Sequence, residues 1–310
     1  MRAAIDVGSN TVRMLLGSVT VDGRLEPVEY LRQITRLGGG FSSIEGLSRE
    51  AMGRTLATLC AFAERLAGAS VESVAAVGTA ALRRAPNGAE FVRLVQAKTG
   101  LYIEIITGEE EAQLAATGVL AALDQPMPRS LIFDIGGGST EFILVVEGVV
   151  RFQRSYPLGV VTLCEQFPGK AAQQAEINRY LGLLRADLAD TALLDQVSAE
   201  GCLLVGTAGT VTSLAALELA LTVYDWRRVN NLVLAQSSLH DWHRRLAPLS
   251  ALEREALPGL ERGRGDLILP GLDIVLATLE LFGKSTLRVS DFGLLEGLLL
   301  KSSGAAQVCR

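Results

Sequence analysis

The sequence predicts an α/β fold in which one plan of strands and helices is used twice. The string Ile5-Asp6-Val7-Gly8-Ser9-Asn10-Thr11 returns as Phe133-Asp134-Ile135-Gly136-Gly137-Gly138-Ser139-Thr140. Asp6 and Asp134 stand 128 residues apart, and the same offset joins Gly8 to Gly136 and Thr11 to Ser139. Each copy lies between two apolar strand-like runs, so each reads as the tip of a hairpin. Downstream, strands alternate with helices, which indicates α/β layers. An early hairpin in each half indicates a duplicated, partly antiparallel sheet, unlike a plain dinucleotide-binding fold.

The elements follow in order. After the first hairpin comes an extended stretch over Leu25–Leu37, closed by a Gly38-Gly39-Gly40 turn. An amphipathic helix is predicted from Ser48 to Leu66 and ends near Gly68. A strand over Val74–Val77 leads into Gly78-Thr79-Ala80-Ala81-Leu82-Arg83, and a helix follows over Ala89–Lys98. Tyr102–Ile106 alternates as a strand before a helix that opens near Thr107. Gln125-Pro126-Met127-Pro128 breaks the pattern and is the candidate linker, giving domains 1–125 and 126–310. The second half repeats the plan: a hairpin over Leu131–Val150, a strand over Arg151–Tyr156, and helices from Leu158 and Ala171. A strand over Cys202–Val205 then enters Gly206-Thr207-Ala208-Gly209-Thr210 and a helix. The last helix, from about Gly293 to Lys301, is a candidate to pack back on the first domain.

Composition removes several classes of function. At 310 residues, 49% apolar and 20% charged, the chain is an ordinary globular protein with room for two cores. A net charge of −5 gives no general attraction to nucleic acid or anionic membrane, so an anionic ligand needs locally concentrated cations. Cys60, Cys164, Cys202 and Cys309 are too scattered for a zinc site or a disulfide framework. Asp6 interrupts any signal-peptide core, and Glu218 interrupts the longest apolar run, Val211–Tyr224. A cytoplasmic protein is expected.

The hairpin tips carry the chemistry. Small residues let backbone N–H groups approach phosphate oxygens, and an aspartate at the strand end can hold a metal ion or its waters. Gly8, Ser9, Asn10 and Thr11, with Gly136, Gly137, Gly138 and Ser139, are therefore candidate phosphate contacts. Asp6 and Asp134 are candidate metal ligands, joined by Glu141, which can point back to the second tip. Gly206, Thr207, Gly209 and Thr210 form a third glycine and hydroxyl turn before a helix N-terminus, where free N–H groups and the dipole favour an anion. Arg83 follows a strand end and offers a guanidinium fork; Arg262 and Arg264 are weaker candidates. In Glu109-Glu110-Glu111, a capping box with Thr107 explains Glu110 and leaves Glu111 unexplained. A carboxylate there can orient or deprotonate a water attacking a polyphosphate. His240 and His243 sit three apart on a helix without further ligands and are expected to face solvent.

Several strings occur in an order that identifies a family. They are Asp6-x-Gly8-Ser9-Asn10-Thr11, Thr79-Ala80-Ala81-Leu82-Arg83, Gly108-Glu109-Glu110-Glu111-Ala112 and the Asp134–Glu141 run. Pro157-Leu158-Gly159-Val160-Val161, Gly206–Thr210 and Ser290-Asp291-x-Gly293-Leu294 continue the series. Together they resemble the exopolyphosphatase and guanosine pentaphosphate phosphohydrolase family over nearly the whole chain. The aspartate hairpins alone fit the wider actin, sugar kinase and heat-shock ATPase superfamily. The resemblance implies two ribonuclease-H-like domains with an interdomain cleft. It also implies Mg2+-dependent release of terminal phosphate from inorganic polyphosphate, or conversion of pppGpp to ppGpp. It assigns Glu111 as catalytic base, and Asp134 and Glu141 to the phosphate and metal centre. Expected partners are polyphosphate or guanosine pentaphosphate, with no nucleic acid or membrane; homodimerisation is left open.

Gln113 and Leu295 stand where many members of that family carry arginine, and the helical extension of longer members is not seen. Short chains or low processivity are expected if that extension guides long polyphosphate. Two other readings compete. One is a noncatalytic sensor of polyphosphate or guanosine alarmones, and the other is a kinase or ATPase of the same superfamily.

Overall fold

The computed structural model describes residues 1–21, 23–42, 44–124 and 127–302. Their contacts divide into two units. Unit 1 is Met1–Ala121 together with the segment from Gly293 onward; unit 2 is Ala122–Phe292. Gln125 and Pro126 of the expected linker, and Cys309, lie outside the described residues.

Unit 1 opens with β1 (Arg2–Val7), β2 (Thr11–Val19) and β3 (Leu25–Ile34). There follow α1 (Arg49–Ala67), β4 (Ser73–Gly78), α2 (Ala80–Arg84), α3 (Gly88–Thr99), β5 (Ile103–Ile105) and α4 (Gly108–Ala121). The sheet order is β3-β2-β1-β4-β5, antiparallel among the first three strands and parallel from β1 to β5. Ala3, Ala4, Ile5 and Val7 are fully buried because β1 is central and covered on both faces. α1 is capped by Ser48, whose hydroxyl accepts from the Ala51 N–H, and its buried stripe Ala51, Thr55, Leu59, Phe62, Leu66 has helical spacing.

Unit 2 uses the same plan. Its strands are β6 (Arg129–Ile135), β7 (Thr140–Val146), β8 (Val149–Tyr156), β9 (Cys202–Thr207), β10 (Val233–Ala235) and β11 (Thr286–Val289). Between β8 and β9 run α5 (Val160–Gln166), α6 (Lys170–Asp190) and α7 (Leu194–Ser198). α8 (Ala208–Glu218) and α9 (Trp226–Val229) follow β9. α10 (Gln236–Leu246), α11 (Ala251–Glu255) and α12 (Ile268–Leu281) lead to β11. The order β10-β11-β9-β6-β7-β8 matches that of unit 1 with one added edge strand. The fold is α/β with two mixed sheets, as the repeated strings predict.

The last helix, α13 (Leu294–Ser302), belongs to unit 1. With α4 it covers one face of the unit-1 sheet through Leu114, Leu294, Leu295, Leu298 and Leu299. The two helices meet at backbone distance. A Cβ on Gly118 would lie 1.9 Å from the Gly293 carbonyl oxygen, and one on Gly297 would lie 1.9 Å from that of Leu114. Gly297→Ala should therefore destabilise unit 1 by about 1–3 kcal/mol, because backbone must move to admit the methyl. A urea-denaturation midpoint unchanged from wild type would contradict this packing.

Candidate active site

The two hairpin tips are built alike. In each, the glycine N–H closes the turn: Gly8 donates to Thr11 O at 3.0 Å and Gly136 to Ser139 O at 2.9 Å. The following carbonyls are held from one side. Val160 N–H donates to Gly136 O, and the Val161 and Thr162 N–H groups donate to Gly137 O at 2.9 and 3.1 Å. In unit 1, Gly38 N–H donates to Ser9 O, while the Thr35 and Arg36 N–H groups donate to Asn10 O. A trans peptide points its N–H opposite to its C=O. The N–H groups of Gly137 and Gly138, and of Asn10 and Thr11, are therefore directed away from these anchors, as an anion cradle requires.

The residues beside the tips differ sharply. Asp6 lies opposite Arg13 in the β1–β2 register, and Arg13 lies opposite Arg32 on β3. Arg13 closes on Asp6 Oδ2 through Nε at 3.0 Å and Nη2 at 2.5 Å. Asp6 is 2% exposed, and its Oδ1 is buried without a hydrogen-bond partner. Asp6 is buried while the Arg13 side chain is one-third exposed, so the pair is only partly desolvated. Asp6, expected from sequence to be a metal ligand, is thus one half of an ion pair.

In unit 2 the same row reads Ser155, Glu141, Asp134, Thr207 across β8, β7, β6 and β9. Residues directly opposite one another share a sheet face. Glu141 stands 128 residues after Arg13, so the duplicated position carries the opposite charge. Glu141 Oε1 accepts from Ser139 Oγ at 2.6 Å and from Ser155 Oγ at 2.5 Å. Such lengths are those of hydroxyl–carboxylate bonds. Two carboxylates flanked by hydroxyl oxygens form a hard-oxygen donor set that fits Mg2+. Among the described residues no group of three or more His, Cys, Asp or Glu side chains is gathered.

Thr107 and Glu110 form the expected capping box, with Glu110 N–H on Thr107 Oγ1 at 3.1 Å and Thr107 N–H on Glu110 Oε2 at 2.9 Å. The Thr107 amide, then its hydroxyl, hold the Glu110 carboxyl below the usual range. Glu111 is not consumed by the cap. Its Oε2 lies 3.2 Å from Arg83 Nη1, which also donates to Ile106 O at 2.8 Å. Both side chains are one-third exposed. An ion pair of that kind contributes about 1 kcal/mol or less, so a phosphate can draw Arg83 away from Glu111.

The third turn differs from expectation. Gly206 and Thr207 end β9, while Gly209 and Thr210 lie in the first turn of α8. Thr207 is buried and donates its hydroxyl to Phe292 O at 3.1 Å, and Thr210 packs against Gly271 of α12. The Thr207 hydroxyl is therefore committed to the backbone. No side chain caps α8, and Arg264 lies against Gly209, where a Cβ would meet its Nη1 at 2.1 Å. Arg264 thus stands at the start of α8, where its Nε also donates to Glu261 Oε2 at 2.9 Å, whereas Arg262 is exposed.

With this geometry in place, residues 18–305 match the Ppx/GppA phosphatase family. The chain belongs to that family. It is 31% identical to exopolyphosphatase 2 of Mycobacterium tuberculosis, over 97% of this chain and 98% of the relative. A Ppx/GppA crystal structure from Aquifex aeolicus superposes with a TM-score of 0.82 at 33% identity, covering 98% of this chain and 97% of that one. An exopolyphosphatase structure from Cytophaga hutchinsonii gives a TM-score of 0.81 at 25% identity, covering 98% and 97%. Among the described residues no helix is long and apolar enough to cross a membrane.

Two further features of this Ppx/GppA chain escaped sequence reasoning. His243 is half-buried and partnered: its Nε2 lies 3.1 Å from Asp273 Oδ1 and 3.4 Å from Lys170 Nζ, joining α10 to α12 and α6. Asp291, just past β11, accepts from the Tyr224 hydroxyl at 2.7 Å, and burial raises its pKa to about 6 against that bond. The folded state therefore favours the neutral acid. Stability present below pH 3.8 should fall as pH rises through 6, by up to about 3 kcal/mol. Asp291→Asn should remove this dependence and be the more stable protein at pH 8. Parallel urea curves for the two proteins from pH 4.5 to 8 would refute it.

Proposed function

We propose that this chain is a divalent-cation-dependent exopolyphosphatase, releasing the terminal phosphate of inorganic polyphosphate by attack of water. The observation that carries the reading is the divergence of one duplicated row. Unit 1 offers Arg32, Arg13 and Asp6, whereas unit 2 offers Ser155, Glu141, Asp134 and Thr207. The unit-1 row closes its carboxylate with an arginine, whereas the unit-2 row sets two carboxylates among hydroxyls, a donor set suited to a hard cation such as the one a polyphosphate carries. The family match and the relatives named as exopolyphosphatases support the substrate class.

In this reading Asp134 and Glu141 hold Mg2+, which when bound neutralises the departing phosphate chain. Glu111 orients a water and takes its proton as the new P–O bond forms. Arg83 moves its guanidinium from Glu111 to phosphate oxygens, leaving the carboxylate to the water. The N–H groups at the Gly136–Ser139 tip and the Arg264 end of α8 supply preorganised donors, and such donors carry most of the rate in phosphoryl transfer. Guanosine pentaphosphate ends in the same phosphoanhydride and is the second substrate to test.

Orthophosphate release from short polyphosphate, long polyphosphate and pppGpp, measured with Mg2+ and with EDTA, tests the proposal. Release from polyphosphate that stops in EDTA is expected. Tight binding of all three without release would replace it with the sensor reading, and release that needs an acceptor would replace it with a kinase.

A further inference from the structure

Resting on the cation role of Glu141 just proposed, we infer that Ser155 is a positioning residue that fixes Glu141 for the metal. Glu141 Oε1 takes hydrogens from two hydroxyls, Ser139 on the tip and Ser155 across the strand pair. A hydroxyl has one hydrogen to give. While bound to Glu141, both serines therefore present only lone pairs to their surroundings. The carboxylate is pinned through one oxygen, and Oε2 is the oxygen left by these two bonds for a cation.

A bulge puts Ser155 there. The β7–β8 register begins with Val146 opposite Val149 and Val145 opposite Val150, then shifts so that Leu144 lies opposite Phe152. Without the extra Arg151, the run would set Glu141 opposite Arg154; with it, Glu141 meets Ser155. An arginine beside Glu141 would neutralise the site, as Arg13 neutralises Asp6 in unit 1. The equivalent bulge in unit 1, between Leu16 and Gly17, leaves Arg32 at the end of its row. One extra residue thus excludes a cation from the row and replaces it with an orienting hydroxyl.

Ser155 is exposed, so truncation leaves no cavity. Removing an orienting partner of a metal ligand typically weakens the metal about 10–100-fold. The test is Mn2+ binding by electron paramagnetic resonance in the absence of substrate, with Mg2+ titrations of phosphate release run alongside. Ser155→Ala should bind Mn2+ about 10-fold more weakly with an unchanged melting temperature. Ser155→Thr, which keeps the hydroxyl, should bind like wild type. Equal affinity in Ser155→Ala, or no Mn2+ binding by wild type, overturns the inference. Weakened Mn2+ binding in a protein that releases no phosphate would leave Ser155 in its role and sink the exopolyphosphatase reading instead.

Discussion

Glu111→Gln should lower phosphate release by about 10³-fold while leaving folding and polyphosphate binding near wild type. The amide keeps the size of the side chain and its place on α4, and the capping box that starts the helix uses Glu110 instead. What is lost is the capacity to accept a proton. Arg83 also loses its charged partner and remains tied to Ile106 O, so binding should not fall with turnover. Steady-state release and equilibrium binding measured on the same preparations separate the two effects. A folded variant that hydrolyses at the wild-type rate would remove Glu111 from the chemistry.

The second large effect is expected from Glu141→Arg. This change rewrites the unit-2 row in the form unit 1 already uses, where Arg13 closes on Asp6 within the same hairpin design. The fold should tolerate it. The introduced guanidinium would pair with Asp134 and remove the net negative charge that draws a divalent cation. Mn2+ binding should disappear, and metal-dependent release should fall by about 10³-fold or more, a loss of about 4 kcal/mol in transition-state stabilisation. Circular dichroism and thermal melting control for folding. Retained Mn2+ affinity in this variant would place the cation elsewhere.

Much of this arrangement was legible in the chain. The 128-residue offset announces the duplication, and the capping box is local chemistry that needs no tertiary context. The same offset also joins Gly78-Thr79-Ala80 to Gly206-Thr207-Ala208, a signal that would have linked the two strand-to-helix junctions directly. It joins Arg13 to Glu141 as well, but only the strand register shows that each stands opposite its aspartate.

Other features depend on partners distant in sequence. Thr207 looks like a ligand hydroxyl in a glycine turn, yet Phe292 O claims it in the folded chain. His243 meets Asp273 only because α10 packs on α12. Ser155 faces Glu141 because a bulge shifts one hairpin by one residue, and no periodicity in the sequence announces the bulge. Local pattern thus singled out Glu111 and the tip residues as candidates, while burial and register decided which hydroxyls and charges surround them.

The most direct test of the central claim is single-turnover hydrolysis of a short polyphosphate of defined length in 18O-labelled water, with the protein in excess and Mg2+ present. If water attacks the terminal phosphorus, one labelled oxygen should appear in the orthophosphate and none in the shortened chain. Label in the shortened chain, or orthophosphate formed without label, would contradict terminal hydrolysis by this chain.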